Sequence, residues 1–241
     1  MLEKTRGIVL RTVDYSETSI VANIYTEAFG IQSFLIKGAK RKKSSVRSNL
    51  FQPLSLLELV IYKKEKSHLH SLKEVRVELP YLTIPYNLAK TSILFFLNEI
   101  LLRCLHEEEN NSEEFQFIHE TLQLLDNSEK HFNNLHIIFL VRFSRFLGFF
   151  PQGNFSLSTQ VFDLREGKFI QKEPLHHDYL IADDSALFNK LLLHNYYSMD
   201  QLIVSGNERK NLLTILLRYY NLHLENMKNI TSLKVLEDIF T

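Results

Sequence analysis

Ser19-Ile20-Val21-Ala22-Asn23-Ile24-Tyr25-Thr26, interrupted at Gly30 and resumed as Ile31-Gln32-Ser33-Phe34-Leu35-Ile36-Lys37, is the stretch that decides the fold. Its first half places Ile20, Ala22, Ile24 and Thr26 on one face, the period of two that marks a half-buried strand. Gly30 supplies the positive φ that a tight hairpin requires. Upstream, Gly7-Ile8-Val9-Leu10-Arg11-Thr12-Val13 is rich in β-branched residues and ends at the turn-like Asp14-Tyr15-Ser16-Glu17. Downstream, Leu54 to Tyr62, following Pro53, and Leu69 to Val77 read as two further strands. Five short strands in about 80 residues have the number and size of the oligonucleotide-binding β-barrel. Alternation specifies strands; it does not specify their closure.

Directly after the third strand comes Lys37-Gly38-Ala39-Lys40-Arg41-Lys42-Lys43-Ser44-Ser45-Val46-Arg47, with six cations and no acid. Such density cannot be buried, because each unpaired charge would lose its hydration. It is either a solvated, solubilising tract or the footprint of a polyanion, whose phosphates release counterions when neutralised. The whole chain hides this feature, since 28 Lys+Arg balance 28 Asp+Glu. Residues 1–78 carry 14 basic and 8 acidic side chains, net +6, and the remainder is net −6. Arg6 and Arg11 extend the basic surface if they face solvent. Tyr15, Tyr25, Phe29, Phe34, Phe51 and Tyr62 are the aromatics on which bases could stack. Core packing is the simpler reading for each, and strand spacing favours it for Phe34 and Tyr25; Tyr15 and Phe29 adjoin turns and are the better candidates for exposure.

Pro80-Tyr81-Leu82-Thr83-Ile84-Pro85 marks a boundary, with two prolines bracketing an extended connector. Beyond it, apolar residues recur at intervals of three and four. They predict helices from Leu88 to Leu105, from Ser112 through Leu125, and from about Asn133 to Leu147, with Gly148 as C-cap. Helical spacing returns over 186–193, 199–203, 208–224 and 232–240. The intervening segment 152–184 reads as a hairpin or irregular insert. The expected architecture is therefore α+β: a barrel domain over residues 1–80 and a helical domain over 81–241. The helical domain is net acidic, with Arg209, Lys210 and Arg218 as a candidate peptide-binding patch or, more simply, a solvated face.

Reaction chemistry is thin. The chain has no HExxH, no GxSxG and no phosphate loop ending in GK[ST]. Glu107-Glu108-Glu109 is a charge run, not a spaced acid–base pair, and no enzyme is expected. The single cysteine, Cys104, excludes an internal disulfide framework and sits on an apolar helix face. Residues 1–6 hold no apolar signal-type core, and the longest apolar run is too short to span a bilayer. A cytoplasmic protein that does not enter membranes is the simplest expectation.

The residues also resemble a known family, the bacterial recombination mediator RecO. The resemblance lies in Thr5-Arg6-Gly7-Ile8-Val9-Leu10-Arg11, Tyr15-Ser16-Glu17, Tyr25-Thr26, Gly30, the run Lys37 to Ser44, and Leu50-Phe51-Gln52-Pro53-Leu54. It continues in Leu217-Arg218-Tyr219-Tyr220-Asn221-Leu222-His223-Leu224 and Ser232-Leu233-Lys234-Val235-Leu236, and so covers essentially the whole chain. It implies a non-enzymatic protein that binds single- and double-stranded DNA and anneals strands near the bacterial nucleoid. It also implies work with RecR in helping RecA displace single-stranded-DNA-binding protein, whose acidic tail is a further partner. The nucleic-acid contacts would fall on Lys37, Lys40, Arg41, Lys42, Lys43, Arg47, Arg6 and Arg11. Many members carry a four-cysteine zinc site after the segment matching Phe146 to Pro151. Residues 152–184 here contain no cysteine, and His176-His177-Asp178 cannot replace four thiolates, so no metal and no other cofactor is expected. Two further readings of the basic barrel stay open: a module whose loop docks an acidic peptide, and an RNA-binding barrel.

Overall fold

The five strands close. The computed structural model describes residues 2–40, 48–62, 69–105 and 111–240. Strands β1 (Leu2–Asp14), β2 (Ile20–Thr26), β3 (Gly30–Ile36), β4 (Leu56–Tyr62) and β5 (His70–Leu79) form a barrel in the order β1-β2-β3-β5-β4. All the pairings are antiparallel except β3 with β5, which meet in parallel at Phe34↔His70 and Leu35↔Ser71. This is the strand count and closure of an oligonucleotide-binding barrel.

Closure depends on β1, which is long enough to pair β4 along its first half and β2 along its second. Its register shifts between Val9 and Arg11, and the extra residue bends the strand around the barrel. Gly7 sits at this crowded point. A Cβ there would lie 2.6 Å from Ile24 Cγ2 and 2.8 Å from Leu59 Cδ1. Val9, Ile20, Ala22, Ile24, Phe34 and Leu59 fill the interior, so the inward face of β2 is the one its alternation specifies. The expected start of the fourth strand is corrected. Leu54 has φ of 59° and donates its N–H to Val9 O at 2.6 Å, so the chain becomes extended only at Leu56.

The chain divides into two compact units, Met1–Asn87 with Leu97–Asn127 and Leu88–Phe96 with Ser128–Thr241. Helix α1 (Leu88–Cys104) contributes its first half to one unit and its second half to the other. In the first unit, helix α2 (Ser112–Asn127) packs against the Tyr25 end of the outward side of β2. Tyr25 is 1% exposed, its ring 5.7 Å from Phe115 and its hydroxyl donating to Glu114 Oε2 at 2.8 Å. Asp126 near the end of α2 accepts the backbone amides of Leu82, Thr83 and Ile84 at 2.8–2.9 Å. The proline-bracketed connector is thereby pinned, and Ile84–Tyr86 forms a short 3-10 turn in place of an extended chain.

The second unit is built on helices α3 (Leu135–Phe143), α4 (Ala182–Leu192), α5 (Gly206–His223) and α6 (Ser232–Phe240). Two predicted helices differ: one is shortened and one is replaced by a 3-10 segment. Past Phe143 the chain tightens into turns, with Arg145 and Phe146 donating to carbonyls three residues back, until Gly148 reverses it at φ 84°. Residues 196–201 form a 3-10 segment capped by Asn195. The insert carries a small sheet of β6 (Val161–Asp163), β7 (Lys168–Ile170) and β8 (Tyr179–Leu180), in the order β7-β6-β8. The hairpin is the expected one; the third strand is additional. Phe162 anchors it, with ring centroids 4.8 Å from Phe188 and 4.9 Å from Phe169.

Candidate nucleic-acid interface

The outward face of β1, β2 and β3 presents two cross-strand rows. Core residues Ala22, Phe34, Ile20 and Ile36 occupy the alternate positions, so Arg11↔Asn23↔Ser33 and Val13↔Val21↔Leu35 must point away from the interior. With its amide turned to satisfy both neighbours, Asn23 accepts from Arg11 Nε at 3.0 Å and donates to Ser33 Oγ at 3.1 Å. Arg11 is exposed and held flat against the sheet, where a guanidinium can still reach a phosphate. Val13 is 53% exposed beside it. Asn23 and Ser33 are not foreseen from composition, although the alternation that buries Ala22 and Phe34 carries the signal.

The rim of this face gathers the described ends of the basic run. Lys37 follows β3 directly and is exposed. Gly38 turns the chain at φ 70°, and Ala39 drops into the barrel core. The Lys40 amide donates to Thr18 O at 3.2 Å, and Ser48 N donates to Ala39 O at 3.1 Å. Lys37, Lys40 and the β1–β2 turn holding Tyr15, 62% exposed, are thus brought to one place. Arg41, Lys42, Lys43 and Arg47 lie outside the described residues. Lys40 Nζ is 2.6 Å from Asp14 Oδ1, and Asp14 is almost fully in solvent. A pair so exposed is worth about 0–1 kcal/mol, so a phosphate competes for Lys40 at little cost.

Arg6 is differently placed. It holds Glu27 through Nε at 2.8 Å and Nη2 at 2.6 Å, donates to Gln116 at 2.9 Å and lies 5.3 Å from the centre of the Phe115 ring. The hydrogen bond from Arg6 keeps the Glu27 carboxyl below its ordinary range, and Glu27 in return raises Arg6. Arg6 therefore works as a latch between barrel and α2, and is not gathered with Lys37 and Lys40. Of the aromatics, Phe34, Tyr25 and Phe51 are buried and Tyr62 is 44% exposed. Of the two candidates beside turns, Tyr15 is exposed, whereas Phe29 packs against the barrel core.

In the second unit, the three candidate cations separate. Arg209 and Lys210 lie side by side at the start of α5. Arg218 is committed to the insert, donating to His177 O at 2.6 Å and Asp178 Oδ1 at 2.8 Å. Asp178 also receives Arg165 at 2.8 Å, and His176 Nε2 stands 3.3 Å from Asp163 Oδ2. The donor set does not fit zinc: Asp178 is held by two arginines, His176 stands against Asp163, and the only thiol, Cys104, is buried on α1. Burial pushes that thiol up to about 12. Among the described residues, no three metal-binding side chains cluster.

Comparison with known proteins agrees with this architecture. Residues 1–81 match the family model for Recombination protein O N terminal, and residues 85–232 match that for Recombination protein O C terminal. The chain belongs to the RecO family. The DNA repair protein RecO of Phocaeicola vulgatus is 38% identical over 241 residues, and that of Bacteroides fragilis 36% over 241 residues. The DNA repair protein RecO of Azobacteroides pseudotrichonymphae is 34% identical over 240 residues. Each alignment covers 100% of both chains. The RecO division into N- and C-terminal parts falls at 81–85, in the connector that Asp126 pins. Among the described residues, no helix is long and apolar enough to cross a membrane.

Proposed function

We propose that this chain is a non-enzymatic DNA-binding mediator of recombinational repair. It grips the phosphate backbone of single- and double-stranded DNA with the rim at Lys37 and Lys40 and with the contiguous run Arg41, Lys42, Lys43 and Arg47. Arg11 and Tyr15 supply the flanking guanidinium and stacking surface. By holding strands through their backbones and leaving base edges free, such a surface suits annealing. In this reading the chain acts with RecR in the bacterial cytoplasm, at the nucleoid. It helps RecA onto strands covered by single-stranded-DNA-binding protein, whose acidic tail meets the helical part near Arg209 and Lys210. The observation that carries the reading is the rim itself, where exposed cations and Tyr15 adjoin the outward face of an oligonucleotide-binding barrel.

The test is a salt titration. Each phosphate contact contributes about 0.9 to the slope of log affinity against log salt on duplex, and about 0.7 on single strands. Replacing Lys40, Arg41, Lys42 and Lys43 together with Ala is expected to flatten the duplex slope by roughly 3 to 4 and weaken binding on any base sequence. An unchanged slope in a folded quadruple variant would remove the basis of the proposal. A marked preference for structured RNA would move it to another class.

A further inference from the structure

Helix α6 closes a small cavity whose floor comes from α3 and α5. His136, Arg209, Lys210 and Leu213 line the floor, and Leu236, Glu237 and Phe240 of α6 form the roof. Phe240 lies 5.7 Å from the His136 ring and 5.9 Å from the Arg209 guanidinium carbon, and Glu237 reaches Lys210 at 3.7 Å. Among the contacts of α6 are thus an acid on a lysine and, one helical turn on, an aromatic ring beneath an arginine.

The floor offers more to an anion than α6 takes. Arg209 is half-buried, and its hydrogen bonds go to uncharged oxygens, Asn134 Oδ1 at 2.8 Å and Val204 O at 3.5 Å. Among the described residues it has no carboxylate partner. His136 is 1% exposed, and its Nδ1 has no hydrogen-bond partner among the described residues. A half-buried guanidinium with no carboxylate and a buried ring nitrogen with no partner among the described residues both carry a desolvation cost; a carboxylate relieves the first, and the second when Nδ1 carries the proton. The hold of α6, in contrast, is slight. It is nine residues long, too short to be stable as a helix by itself, and Leu236 is its only fully buried side chain. Val235 is 53% exposed.

We propose that α6 is a displaceable plug occupying in cis a docking site for an acidic peptide that carries an aromatic residue. The inference rests on the reading above that the helical part receives an acidic peptide, and adds how that site is regulated. An incoming peptide must remove Phe240 from beneath Arg209 and Glu237 from Lys210. It gains by giving Arg209 the carboxylate that α6 does not.

The experiment measures fluorescence anisotropy of a labelled synthetic peptide with the sequence of residues 232–240, against a scrambled control, on the full-length protein. Wild type is expected to bind weakly, and the Leu236→Ala/Phe240→Ala variant at least tenfold more tightly, because its own α6 no longer competes. Adding Lys210→Glu is expected to abolish the gain. Should the double variant lose its circular dichroism signal, Glu237→Lys in an otherwise native chain repels Lys210 and is expected to give the same tightening. Equal affinity for wild type and a folded plug variant would overturn the plug while leaving peptide docking standing. No specific binding to any folded variant would overturn both.

Discussion

Asp126 illustrates how much one side chain can hold in this protein. Three successive amides, those of Leu82, Thr83 and Ile84, converge on its carboxylate, and Thr83 Oγ1 bonds to the same residue. Burial pushes the carboxyl up, but these hydrogen bonds push harder in the opposite direction, and its pKa lies below the ordinary value. A carboxylate with a depressed folded-state pKa contributes stability that is complete above the unfolded value of about 4 and lost as pH falls through the folded one. Asp126→Asn is therefore expected to cost about 1–3 kcal/mol at pH 7, by leaving amides poorly paired. Denaturant titrations should show the gap between variant and wild type narrowing toward pH 3. A gap that stays constant with pH would mean that the charge of Asp126 is not what holds the connector. The candidate site divides at this same scale. That Lys37 and Lys40 are accessible was legible from their density, because so many cations cannot be buried. That Arg6 is a latch was not, because its partners Glu27 and Gln116 lie 21 and 110 residues away in sequence.

Among the elements, strands were more legible than helix ends. Alternation across Ile20, Ala22 and Ile24 survives folding because one face of β2 is dry, and a slip of one residue would turn every apolar side chain outward. The helical period of 133–147 outruns its helix, since Phe146 and Leu147 stay apolar while the backbone has already tightened into turns. In the insert, β6 and β7 follow from Val161 to Ile170, but β8 is two residues long and carries no period of its own. Its neighbour Asp178 is fixed by Arg218, 40 residues downstream. This knot of hydrogen bonds and ion pairs, with the Phe162–Phe188 contact, holds the insert without any thiolate. Purified protein is accordingly expected to contain no stoichiometric zinc, and its melting temperature should not move on chelation. One zinc per chain by elemental analysis would contradict this and direct attention back to His176 and His177.

Over the whole molecule, the barrel does not end its cooperative packing where its strands end. The sequence marks a boundary at Pro80, yet the compact unit that holds the barrel also takes in residues 97–127. Nothing in local spacing announces this. Tyr25 is buried, as expected, but on the outward side of β2 and not in the barrel interior, and what covers it is Phe115, far along the chain. Glu78 on β5 likewise meets His119 of α2 at 3.0 Å. A fragment of residues 1–80 keeps the cationic rim and loses this cover. Re-exposing one large aromatic face costs roughly 1.5–3 kcal/mol, a substantial part of the 5–15 kcal/mol that stabilises a typical domain. At about 4–8 °C per kcal/mol for a fragment of this size, that exposure alone should lower its melting point by roughly 6–24 °C against the full-length protein, and the other lost α2 contacts add to the fall. In the intact chain, Phe115→Ala should weaken the same unit without removing any cation, lowering stability by about 3–5 kcal/mol. Below its melting point the variant should keep the salt slope of the full-length protein on DNA. A 1–80 fragment that melts with the intact chain would show that α2 rests on the barrel without supporting it, and a Phe115→Ala variant with a flattened slope would tie DNA binding to the packing of α2.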